Sequence, residues 1–183
     1  MYAEVRKTTD AAAGHRLWID GRNDMLANHP RSPLPPERRG AFSGLPVAPY
    51  DPALRFILEV DVEVAPERID MPASAGGVVP FERAGVLHLP FVGDLDVWWL
   101  SAYGGGVFVP MKDASAGTRT YGGGRYILDT AKGADLGGDD GLLVVDLNYA
   151  YNPSCAYDSS WVCPLAPPGN TVAIAVEAGE LLA

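Results

Sequence analysis

The stretch Leu54-Arg-Phe-Ile-Leu-Glu-Val-Asp-Val-Glu-Val64 decides how the chain is read. Phe56, Leu58, Val60, Val62 and Val64 alternate with Arg55, Glu59, Asp61 and Glu63. A period of two sends successive side chains to opposite faces, so one face belongs to a core and the charged face to water. This predicts a strand over 54–64 in an antiparallel sheet.

The sequence downstream repeats the signal in shorter runs. Val86 to Leu89 and Leu95 to Leu100 read as strands joined by a two-residue turn at Gly93-Asp94. Trp98 and Trp99 fall on opposite faces. Tyr103-Gly-Gly-Gly106 is read as a further turn, and Val107 to Met111 as the next strand. Thr118 to Asp129 is strand-like but interrupted at Gly122-Gly-Gly124. Leu142 to Asn148 and Thr171 to Val176 complete a count of seven or eight strands. The segments Pro72 to Gly77 and Gly133 to Gly141 read as loops, the second flexible and acidic. No βαβ rhythm follows residue 54, which disfavours a parallel sheet. The expected class is mainly β: an antiparallel β-barrel or rolled sandwich with an N-terminal α-helix.

Upstream, Thr8 to Asn28 reads as that helix, capped by Thr9 or Asp10. Trp18 and Arg22, four apart, share a face, and His29-Pro30 ends the helix. Ser32 to Gly40 reads as a short helical turn. Phe42 to Pro52 reads as a rigid, proline-rich connector laid over the sheet. The whole, residues 1–183, is expected to be one domain: 1–52 helix and connector, 53–183 β-structure.

Composition narrows the function classes. Hydrophobic residues make up 48% of the chain, the level of a globular protein. The net charge is −9, and residues 42–183 hold seven Lys/Arg against eighteen Asp/Glu. An acidic body lacks the basic face that phosphate backbones require, so no nucleic-acid partner is expected. No apolar run approaches the ~20 residues of a membrane span, and the first ten residues lack the apolar core of a secretory leader. The expectation is a cytoplasmic protein without a membrane partner.

Two polar motifs stand out. In Arg119-Thr-Tyr-Gly-Gly-Gly-Arg-Tyr126, glycines permit a sharp bend and close approach to the backbone. The bend is expected to turn Arg119, Tyr121, Arg125 and Tyr126 toward one cavity, where guanidinium groups grip a carboxylate or phosphate. Against this stands a plain strand irregularity whose arginines pair with the acidic surface. In Leu142 to Asn152 the apolar run turns polar. Asp146 and Asn148, two apart on a strand, share a face, and Asn152 follows. Asp146 is expected to pair with Arg119 or Arg125, in a structural more than a catalytic role.

Cys155 and Cys163 are too few for a disulfide framework and lie far in sequence from His15, His29 and His88, so no metal site is expected. They read either as buried small hydrophobes or as a candidate redox pair closing a reversible disulfide. Nucleophile-elbow, zinc-protease and dinucleotide-binding motifs are lacking.

The set His29-Pro-Arg-Ser-Pro-Leu34, Gly44-Leu-Pro46, Tyr50-Asp-Pro52, Thr120-Tyr-Gly-Gly-Gly-Arg-Tyr126, Asp146-Leu-Asn-Tyr-Ala-Tyr-Asn-Pro153, Cys163-Pro-Leu165 and Ala178-Gly-Glu180 resembles the bacterial family of uncharacterised proteins called domain of unknown function 1684. The resemblance covers most of the chain in the same order, and Trp18-Ile-Asp-Gly-Arg22 resembles the family's N-terminal Trp-x-x-x-Arg signature. The chain departs at Asp146-Leu-Asn, where relatives tend to have Asp-Phe-Asn. It departs again at Pro167-Pro-Gly-Asn170, where they tend to have Pro-Pro-Glu-Asn, which puts in doubt any role for a carboxylate at position 169. The family implies no activity.

Two functions are therefore weighed. In one, the mouth of the β-structure binds a small polar or anionic ligand through Arg119, Tyr121, Arg125, Tyr126, Asp146, Asn148 and Asn152, with chemistry and cofactor unassigned. A flavin-binding split barrel is a variant of it. In the other, the polar motif only fastens loops, and exposed apolar residues such as Trp98 make a homodimer contact.

Overall fold

The computed structural model describes residues 1–74, 76–101 and 105–182. Among them are three N-terminal helices, α1 (Tyr2–Val5), α2 (Ala11–Asn28) and α3 (Pro36–Arg39). The strands are β1 (Arg55–Glu59), β2 (Arg68–Pro72), β3 (Val78–Leu89), β4 (Gly93–Trp99), β5 (Val107–Met111), β6 (Arg125–Asp129), β7 (Gly138–Asp139) and β8 (Leu142–Asp146). They form two antiparallel sheets, one in the order β1-β8-β7 and a five-stranded meander β2-β3-β4-β5-β6. The protein is thus mainly antiparallel β with helices at its N-terminal end. No helix among the described residues is long and apolar enough to cross a membrane.

The Asp10 carboxylate opens α2 by accepting from the N–H groups of Ala12 and Ala13, which otherwise have no intrahelical partner. Trp18, Arg22 and Leu26 form its buried stripe. The core has two parts. An aliphatic cluster gathers Phe56 and Val145 from the smaller sheet with Leu87, Leu95, Val97, Val109 and Met111 from the larger. An aromatic cluster collects Trp18, Phe81, Trp98, Phe108, Tyr126, Tyr149 and Tyr151. With apolar neighbours in both clusters, β6 is buried at every residue.

Several sequence expectations need correction. The strand expected over 54–64 stops at Glu59, because its partner β8 begins opposite that residue. Asp61 then bridges to Val86 of β3, and Val62 is left exposed. The Arg68–Pro72 strand has no alternating apolar face strong enough to announce it, yet it pairs with the start of β3. Gly93 and Asp94 do not form the hairpin turn: they pair with Leu89 and His88. The loop is Pro90-Phe91-Val92, with Pro90 followed by Phe91 at φ 54° and the Val92 N–H closing on the Leu89 carbonyl. Proline followed by a positive-φ residue is the pattern of a type II turn. Only 125–129 of the 118–129 stretch is strand, and β7 forms inside the expected acidic loop. Thr171 to Val176 alternates but lacks a ladder; it crosses the end of β5 through single bonds, Val172 N–H to Lys112 O and Ala114 N–H to Ile174 O. Trp98 is 1% exposed, so it makes no outer contact, whereas Trp99 is 43% exposed. The turn expected at Tyr103 to Gly106 falls on residues 103 and 104, which lie outside the described residues.

Strands β4 and β5 pair only at Trp98–Phe108 and Trp99–Val107. Continuing that register would set Asp96 against Pro110, which has no N–H to donate. The Asn170 side chain fills the gap: its amide donates to the carbonyls of Asp96 and Pro110 at 2.8 and 2.9 Å, and its oxygen accepts from the Trp98 indole at 2.6 Å. The neighbouring Gly169 leaves room for Asp96, since a Cβ there would stand 1.8 Å from its Oδ2. That contact explains why a glycine suits position 169 in this chain. Asn170→Ala strands three buried polar groups and is expected to cost about 3 kcal/mol or more; urea unfolding measures it, and a loss below about 1 kcal/mol would show that water replaces the amide.

Candidate functional site

The residues expected to line one hollow separate into distinct clusters. Arg125, on β6, is fully buried. Its Nη2 pairs with Asp113 at 3.0 Å and donates to the Val176 carbonyl, while its Nη1 donates to the carbonyls of Ala178 and Glu180. Burial works against the ionised Asp113, but bonds from the Ser115 hydroxyl and N–H, the Arg125 charge and the Thr120 hydroxyl outweigh it and lower its pKa. The glycine bend serves the same fastening. Gly124 sits at φ 88°, and a Cβ there would come within 2.9 Å of the Met111 carbonyl, so the close approach is made by the protein's own backbone. Arg119 is exposed and faces Glu177.

Asp146 and Asn148 form a second cluster. The strand ends at Asp146, and a 3₁₀ turn follows over Leu147–Tyr149. The two side chains are not simply on one strand face: Asp146 Oδ1 accepts from both the N–H and the amide of Asn148. Asp146 pairs with Arg55 at 2.9 Å, not with Arg119 or Arg125, and accepts from the Tyr50 hydroxyl. Asn148 clasps the Asp51 backbone, donating to its carbonyl and accepting from its N–H. His15 of α2 closes the cluster. Its Nε2 lies 2.9 Å from the Asn148 carbonyl, which can only accept, so Nε2 carries the proton. Burial pushes the His15 pKa below 6.5 against the opposing pull of that bond and of Asp146.

Asn152 belongs to a third cluster, which sequence reasoning left unassembled. Glu180 is fully buried. Its Oε1 accepts from Arg22 of α2 at 2.6 Å, and its Oε2 accepts from the Tyr157 hydroxyl at 2.6 Å and the Asn152 N–H at 2.7 Å. Arg22 also lies over the Tyr151 ring at 5.0 Å. Gly179, at φ 70° with its α-carbon against the Ala150 carbonyl, makes the turn that delivers Glu180. The sequence had marked Trp18-x-x-x-Arg22 and Ala178-Gly-Glu180 separately. Their meeting, 158 residues apart in sequence, was the missing piece.

Beside this cluster opens a cleft of about 440 Å³, walled by the connector at Leu34, Arg38 and Phe42 to Pro46 and by Asn152, Tyr157 and Leu182. The buried Asn152 Oδ1 has no hydrogen-bond partner, although its amide donates to the Leu181 carbonyl. Tyr121 and the cysteines form a fourth group, where the Tyr121 hydroxyl donates to Cys155 Sγ at 3.5 Å. Tyr126 is buried and donates to the Pro164 carbonyl. Among the described residues no group of three or more His, Cys, Asp or Glu is placed to hold a metal ion.

This mainly antiparallel β architecture, with buried Arg–carboxylate pairs fastening its helix and C-terminal segment, has known relatives. The chain belongs to the family described as "Protein of unknown function (DUF1684)", whose model matches residues 40–181. It is similar to the solution NMR structure of the uncharacterized protein from gene locus rrnAC0354 of Haloarcula marismortui, at 32% identity over 91% of each chain with a TM-score of 0.63. No curated protein matches the chain.

Two outcomes test this geometry. Glu180→Ala leaves Arg22 buried without its counter-charge and is expected to cost about 3–5 kcal/mol, while Glu180→Leu with Arg22→Met costs less than Glu180→Ala alone, read by chemical denaturation. His15 is neutral when folded, with a pKa below its unfolded 6.5. The unfolded chain therefore takes up the proton first on acidification. Its contribution is complete above pH 6.5 and declines as pH falls toward the folded pKa; denaturation curves across that window should show a slope that His15→Gln removes.

Proposed function

We propose that the chain binds a small polar ligand, neutral or anionic, in the cleft beneath the proline-rich connector, with the chemistry unassigned. The observation that carries this reading is the cleft of about 440 Å³ between the connector and the C-terminal segment, with Arg38, Asn152 and Tyr157 in its lining. The volume is that of a small-molecule site. Arg38 stands in the wall to meet an acceptor or negative group. In this reading the two sheets, bridged at Asp61–Val86 and Tyr126–Tyr151, are a rolled sandwich with an aliphatic filling. The ligand then lies beside the sheets and not in a barrel mouth. Arg125 holds the Glu180 carbonyl next to Leu181 of the cleft wall, and a cytoplasmic setting is part of the same proposal.

A second reading, a structural or interaction protein that forms a homodimer, draws on one observation: Arg125, Asp146 and Asn148 are all engaged with the protein's own backbone and side chains. Thermal shift against polyols, sugar acids, amides and nucleotides separates the two. A ligand specific to the folded chain raises Tm by mass action. Ala41→Trp, which fills the cleft from its exposed rim, and Arg38→Ala should abolish or weaken the shift, whereas Arg125→Ala should lower Tm with or without ligand. No shift from any compound, together with a dimer in sedimentation, favours the second reading.

A further inference from the structure

The loop from Cys155 to Cys163, whose Ala156 and Tyr157 line one side of the cleft, carries chemistry of its own. Both cysteines are free and buried. They are eight residues apart, and the Cys155 N–H donates to Cys163 Sγ at 3.3 Å. The Tyr121 hydroxyl donates to Cys155 Sγ at 3.5 Å. The loop ends are pinned. Ser154–Ala156 is a 3₁₀ turn. The Cys163 N–H donates to Ser74 Oγ, Ser74 Oγ to the Trp161 carbonyl, and the Ser74 N–H to the Cys163 carbonyl. Two free, buried thiols held side by side in a pinned loop, one accepting from the other's N–H and the other from a tyrosine hydroxyl, exceed what packing requires of small hydrophobic residues.

We propose that Cys155 and Cys163 form a peroxide-reducing dithiol in which Cys155 attacks and Cys163 resolves. The Cys155 sulfur attacks one oxygen of hydrogen peroxide, the O–O bond breaks, and the departing oxygen takes up a proton and leaves as water, with Cys155 now a sulfenic acid. The Cys163 sulfur attacks the sulfenic sulfur, the S–O bond breaks, a second water leaves, and the disulfide forms. Across both steps the two thiols lose two hydrogens and two electrons, and the peroxide is reduced to two waters. An external dithiol reverses the oxidation by exchange, becoming a disulfide itself. Burial favours a small oxidant over a bulky disulfide at this first step.

The order of attack follows from the donors. The neighbouring Cys163 thiol and then the Tyr121 hydroxyl, which donates to Cys155 Sγ, lower the Cys155 pKa, while the nearby Cys155 sulfur pushes Cys163 upward. The thiolate is the nucleophile, so Cys155 is the reactive member at neutral pH. The other ionisable groups facing the pair are Tyr126 and Lys132.

The full-length reduced chain, treated with hydrogen peroxide, alkylated and weighed intact, tests this. The native chain should lose the mass of two hydrogen atoms and both alkylatable thiols, and recover them with dithiothreitol. Cys163→Ser should stop at a sulfenic acid trapped by dimedone. Cys155→Ser should consume peroxide about tenfold more slowly or worse. Tyr121→Phe, which keeps both sulfurs and nearly the same shape, should raise the pH midpoint of the reaction. The proposal falls if Cys155→Ser reacts as fast as the native chain, or if both native thiols persist while peroxide oxidises only methionine.

Discussion

The C-terminal segment from Thr171 to Leu182 has no ladder of its own, and the structure depends on how its backbone is satisfied. Buried carbonyls without partners are costly. Arg125 meets this constraint with one guanidinium, which takes the carbonyls of Val176, Ala178 and Glu180 while Asp113 neutralises its charge. With the segment held, Glu180 points inward to Arg22, and helix α2 is fastened to the end of the chain. A planar five-donor group suits this task, and a lysine would not reach three carbonyls and a carboxylate together.

The same logic recurs at each break in the sheets. Where β4 and β5 diverge at Pro110, the Asn170 amide supplies the missing donor. Where β8 ends, Asp146 caps the following turn and Asn148 clasps the connector. The polar motifs are thus chiefly fasteners of irregular backbone. Asn152 is the member of the expected set that lines the cleft under the connector.

Much of the architecture was legible. Period-two alternation marked β1, short apolar runs marked β5 and β8, and capping chemistry at Asp10 marked the start of α2. Strand ends were not legible, because alternation continues past the point where a partner runs out, as at Val62 and again at Ile174. β2 was missed because its stability comes from pairing with β3 and not from its own pattern. Within the site, the choice of partners was the hidden part. Asp146 meets Arg55, and Arg125 meets Asp113, whereas the expectation was that Asp146 would pair with Arg119 or Arg125.

By itself the sequence determined the mainly antiparallel β class of fold and the helix with its Trp18 and Arg22 face. These follow from periodicity and from the local chemistry of caps, glycines and prolines, which act over a few residues. The tertiary structure alone decided the pairings Arg22–Glu180, Arg55–Asp146 and Arg125–Asp113, and with them the position of the cleft. A buried charge must find its counter-charge across the fold, and which one lies within reach depends on how the sheets and the C-terminal segment pack, a property that no local stretch of chain encodes.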